Sequence, residues 1–202
     1  MDTALFHATL LVNMIAMAIT LWGAFYLFAR GFPSSIPLRA AIVLFLLSIF
    51  FLGTYNNLFG QVTGTASIRA VILIAGLVTW YSLTLRLMSQ PSRARLRWME
   101  IGIYLLSAAT AVSLLAMPDS FLEEHVNALN ITHLRPGFNY VLYGIFQIVI
   151  VFGILYNLLA YERIGLTKQG KYFLAASIFP ALGILSGIIG LAILPEFPAD
   201  WR

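Results

Sequence analysis

Of the 202 residues, 60% are hydrophobic and 10% charged, against roughly 45–50% and about 25% in soluble domains. With a mean hydropathy of +0.89, this composition excludes a disordered chain, a nucleic-acid-binding domain and a soluble enzyme, and leaves an integral membrane protein. The formal charge of +4 comes from twelve Lys and Arg against eight Asp and Glu. In a membrane chain such cations set orientation rather than attract an acidic partner.

A bilayer core about 30 Å thick takes about 20 apolar residues of helix. Six stretches meet that length, at about 5–28, 40–60, 68–89, 98–117, 138–160 and 172–194. The expected fold is therefore an all-α polytopic membrane bundle of six transmembrane helices in a single domain. Met1-Asp2-Thr3-Ala4 lacks the basic region of a cleavable signal peptide, so the first span is expected to be retained. Zero cysteines exclude disulfides and thiolate chemistry.

Between the spans lie segments of turn or charge character, from Arg30-Gly31-Phe32-Pro33 to the stretch Gly165 through Gly170. Arg30, Arg39, Arg86, Arg93, Arg95, Arg97, Arg163, Lys168 and Lys171 fall on the first, third and fifth connections; Arg69, Arg135 and Arg202 fall on the other side. This nine-to-three split puts the odd-numbered connections in the cytoplasm and both termini outside. The longest outer segment carries Ser120-Phe121-Leu122-Glu123, a capping-box pattern, and predicts a short interfacial helix over about 121–129.

Chemistry-bearing residues are scarce. No pair of carboxylates lies within a span, and both lysines fall in the fifth connection. Glu100, near the start of the fourth span, reads as an interfacial carboxylate beside Arg97 or another cation of the third connection. His7, His125 and His133 all fall on the outer side and are weak metal-ligand candidates, because no two have the spacing that preorganises a site on a helix. No metal, cofactor or catalytic residue is predicted. Ser186 lies in Gly183-Ile184-Leu185-Ser186-Gly187, but no histidine at that depth is available as a base. Gly183, Gly187 and Gly190 instead share one face of the sixth span, a small-residue pattern that admits a close helix neighbour. That neighbour is either a helix of this chain or a partner, a second membrane protein or another copy.

Polar residues form stripes along the other spans: Thr9, Asn13 and Thr20 on the first, Thr79 and Ser82 on the third, and Tyr143 and Gln147 on the fifth, with Asn56 near the end of the second. They serve either as interhelical hydrogen-bond partners or, in the sharper reading, Asn13, Asn56, Tyr143 and Gln147 line a pocket open to the outer side. Such a pocket holds a small ligand or a bound lipid group.

The segments Pro37-Leu38-Arg39-Ala40, Trp80-Tyr81-Ser82-Leu83-Thr84-Leu85-Arg86 and Tyr161-Glu162-Arg163, followed by Lys171-Tyr172-Phe173-Leu174, Pro180, Gly183 and Pro195-Glu196-Phe197-Pro198, occur in a characteristic order. That order resembles the seven-helix N-terminal region of many bacterial sensor histidine kinases and some diguanylate cyclases, over nearly the whole chain. The resemblance implies a sensory bundle that acts by helix movement on a separate output. This sequence departs from the pattern in offering six spans without the seventh helix or the phosphoacceptor and ATP-binding regions. It is therefore expected to be either a fragment of such a sensor or a six-helix protein that kept the bundle without the output. The expected function is a non-catalytic sensory or ligand-binding module acting through a partner. The alternative is a structural or accessory subunit of an energy-transducing membrane complex; a small transporter ranks below both, since no repeat or broken helix is evident.

Overall fold

A computed structural model describes residues 3–59, 63–88, 90–126, 132–162 and 197–198. Five of its helices are long and apolar enough to cross a membrane. They are α1 (Thr3–Gly31), α2 (Ser35–Phe59), α3 (Thr63–Leu87), α5 (Arg97–Ala116) and α6 (Phe138–Glu162), with a short α4 (Gln90–Arg95) between α3 and α5. Uninterrupted apolar runs form helices here because lipid supplies no partners for the backbone, and a helix satisfies its own N–H and C=O groups. The sixth expected span, 172–194, with Gly183, Gly187 and Gly190, lies outside the described residues.

The turn between α1 and α2 depends on Gly31. A side chain there would collide with the ring of Pro37, which sits in the first turn of α2, where a missing N–H costs nothing. α1 packs against α2, α2 packs in turn against α3, and α3, α5 and α6 pack on one another in a three-helix core. On α3 the buried residues Ala70, Ile74, Leu77, Tyr81 and Leu85 recur every three or four positions, the spacing of one helix face. They meet Ile103 and Leu114 of α5 and Phe146, Ile150, Ile154 and Leu158 of α6. Gly153 of α6 lets these helices close up: a Cβ there would stand 3.1 Å from Ile103 Cδ1, 3.1 Å from Tyr81 Cε2 and 3.3 Å from Met99 Cε. Large apolar side chains such as Trp22, Phe25, Leu105, Val112 and Phe152 point outward, as helices surrounded by acyl chains require.

The segment after α5 departs from expectation. Instead of an interfacial helix over about 121–129, Pro118–Ser120 form a single 3₁₀ turn, and β1 (Leu122–Val126) pairs antiparallel with β2 (Thr132–Pro136). β3 (Phe197–Pro198) adds to the free edge of β2. The capping box fails for a local reason. The Ser120 hydroxyl donates back to the Met117 carbonyl at 2.9 Å, and the Phe121 N–H closes the turn onto Pro118 O. Downstream, Gly137 N–H donates to Phe121 O at 3.1 Å, so the chain returns to the same place before α6 begins.

Candidate functional site

Polar side chains buried among α3, α5 and α6 form a seam at three depths. At the end next to the hairpin, Asn139 is fully buried and donates from Nδ2 to the carbonyls of Ser113 (3.0 Å) and Met117 (2.8 Å), while Ser113 Oγ donates to Asn139 Oδ1 at 2.5 Å. Ser113 O lies in the last turn of α5 and also accepts from Met117 N–H at 3.0 Å, and the C-cap carbonyl of Met117 also accepts from Ser120 N–H at 3.2 Å, so Asn139 adds a further donor to each. Asn139 thus caps α5 from the first turn of α6. Ser67 Oγ of α3 donates to Pro118 O at 3.1 Å and ties the third helix to the same point.

One turn further along α6 is Tyr143, 8% exposed, with Gln147, 7% exposed, one turn beyond it, and Tyr143 lies within electrostatic reach of Arg69 of α3. The ring of the buried Phe121, at the root of the hairpin, covers this level. It stands 5.7 Å edge-on from the Tyr143 ring and 5.3 Å from that of Tyr140. At about 1.5 Å rise per residue, Gln147 sits about 13 Å below the start of α6, close to the middle of its apolar stretch Phe138–Leu159.

At the opposite end, Asn157 Nδ2 donates to Thr84 Oγ1 at 3.0 Å, and both side chains are buried. Thr84 Oγ1 also donates to Tyr81 O at 2.7 Å. The Tyr81 ring is edge-on to Tyr104, whose hydroxyl donates to Glu100 Oε1 at 3.3 Å. Arg93 Nη2 reaches the same oxygen at 3.3 Å. Arg39 of α2 donates from Nη1 to Ser82 Oγ of α3.

Of the four expected pocket residues, Tyr143 and Gln147 share this seam. Asn13 is half-buried on α1, the helix that packs against α2, and Asn56 lies near the end of α2. Tyr143 and Gln147 are thus placed one turn apart on the same helix. Several striped hydroxyls are satisfied within their own helix: Thr20 Oγ1 donates to Ala16 O at 2.8 Å and Thr79 Oγ1 to Ala75 O at 2.7 Å. Ser82 bridges to another helix, and its donor is an arginine rather than a second stripe.

His125 and His133 stand opposite each other in the hairpin register, whereas His7 is on α1. Among the described residues no group of three or more His, Cys, Asp or Glu is placed to hold a metal ion.

Asn139, Asn157 and Arg69 carry the seam but did not stand out in the sequence. Asn139 had one signal, a lone amide at the start of an apolar run immediately after Pro136-Gly137. Arg69 reads as a connection residue only if α3 starts late; α3 starts at Thr63, which brings Arg69 into its second turn. Comparison with family models, with curated proteins and with solved structures finds no match for this chain.

Proposed function

We propose that the chain is a non-catalytic sensory or ligand-binding bundle, which acts through a partner in the manner of the seven-helix sensor regions it resembles. In this reading the bundle has six spans with both termini outside the bacterial inner membrane, and its site is the seam around Tyr143 and Gln147. The observation that carries the reading is a tyrosine and a glutamine buried one turn apart on α6, the glutamine close to mid-span, with an arginine of α3 within electrostatic reach of the tyrosine. Polar groups at that depth are costly in lipid and mark substrate or signal pathways by default. Apolar walls from Phe121 and Phe146 with a few convergent polar groups match the make-up of a small-ligand pocket.

Gentle detergent extraction followed by native mass spectrometry tests this against the accessory-subunit reading. A sensor bundle leaves the membrane with lipid or with a signalling protein. Stoichiometric cofactor-bearing subunits in the same particle would contradict the proposal.

A further inference from the structure

The elbow between α4 and α5 holds a cavity of about 280 Å³ lined by Gln90, Arg93, Ala94, Arg97 and Glu100. The joint is made by Leu96, whose N–H bonds to Arg93 O at 3.1 Å and whose carbonyl accepts from Glu100 N–H at 2.9 Å. This fold-back sets Arg93 against Glu100 across the joint and leaves Arg97 exposed at the rim. A guanidinium carries five N–H donors, and the Glu100 contact engages Arg93 through one Nη2.

Two further features say where this cavity lies and what reaches it. Trp98, beside Arg97, is 84% exposed, and tryptophan collects at the headgroup level of a bilayer. Arg30 ends α1, Arg39 opens α2, Arg86 ends α3, and Arg93, Arg95 and Arg97 surround the elbow, so the described cations concentrate at this end of the bundle. At about 280 Å³ the cavity falls just under the range of roughly 300–1,000 Å³ typical of whole-ligand pockets. It suits a headgroup whose acyl chains stay in the membrane.

We infer that the α4–α5 elbow is a binding site for the phosphate of an anionic phospholipid, with Arg93 and Arg97 as the donors. Arginine suits this task because its planar fork pairs with two phosphate oxygens at once. Glu100, partnered by Arg93 and Tyr104, competes with the phosphate for Arg93 and keeps the site from holding every anion that passes.

The test uses the full chain in nanodiscs of phosphatidylglycerol and phosphatidylcholine, with native mass spectrometry counting each lipid that remains after delipidation. An arginine near the membrane surface changes anionic-lipid binding roughly fivefold. Arg93→Gln/Arg97→Gln should therefore lower phosphatidylglycerol retention by about tenfold or more, while phosphatidylcholine retention stays level. Arg30→Gln/Arg86→Gln, which removes equal charge from the same end but not from the cavity lining, should lower it clearly less than Arg93→Gln/Arg97→Gln does. Arg97→Gln alone, at an exposed rim position, provides the reading if the double variant does not fold, and Glu100→Gln should raise retention. Equal losses in the two double variants would mean diffuse attraction and would overturn the site. Displacement of the lipid by millimolar inorganic phosphate would assign the cavity to a soluble phosphate and would overturn the lipid assignment.

Discussion

Gly153 and Gln147 stand six residues apart on α6 and answer to different physics. In lipid there is no hydrophobic drive between helices, so association rests on close packing and polar contacts. At Gly153 the helices α3, α5 and α6 approach closely, with three side-chain atoms within 3.3 Å of a would-be Cβ. Gly153→Leu should destabilise the bundle by about 1–3 kcal/mol, the usual cost of overpacking. Gly102→Leu, at a position with open space around it, should leave thermal unfolding in detergent nearly unchanged. A Gly102 effect as large as that of Gly153 would show that bulk, and not the junction, is being measured. Gln147 and its neighbour Tyr143 lie on the same helix, so Gln147→Leu should cost less than about 0.6 kcal/mol, the mean for a side-chain hydrogen bond between two membrane helices. Asn139→Ala removes two bonds to α5 carbonyls and should cost more, about 1–3 kcal/mol. A ranking of Gln147 above Asn139 in the same unfolding assay would contradict the assignment of Asn139 as the cap.

The helices were legible as elements because a transmembrane helix announces itself by one quantity, the length of an apolar run. The apolar runs show where spans lie but not which helix each one touches. Asn13, Tyr143 and Gln147 look equivalent as polar residues in apolar spans, yet α1 packs against α2 while α6 enters the three-helix core. Only the tertiary arrangement separates them. The hairpin was misread for a different reason. Ser120-x-x-Glu123 is a local signal, whereas the pairing of Leu122–Val126 with Thr132–Pro136 depends on a return of the chain that no local pattern encodes. Because the protein has no native cysteine, the register can be tested directly. Opposed residues in an antiparallel pair have Cα atoms about 4.5–5.5 Å apart, inside the range a disulfide bridges. His125→Cys/His133→Cys should therefore form an intramolecular disulfide under mild oxidant, while Glu123→Cys/His133→Cys, off register, should form it much more slowly. Equal rates would argue against the strand pairing.

At the scale of the whole molecule, the packing of α3, α5 and α6 places polar groups inside the bundle at three depths, roofed on the hairpin side by Phe121. The proposed sensor needs that interior to be reached from outside the cell. The orientation expected from the cations requires Ser120→Cys to react with a membrane-impermeant thiol reagent in intact cells and Ser92→Cys to be protected; the reverse pattern would invert the topology. With that orientation in hand, the accessibility of Gln147→Cys is the most direct test of the functional site. Modification from outside by a small impermeant reagent, accelerated when Phe121→Ala removes the roof, is the predicted result. Modification by a lipid-soluble maleimide alone, unaffected by Phe121→Ala, would mean that the seam is sealed packing and would contradict a ligand site there.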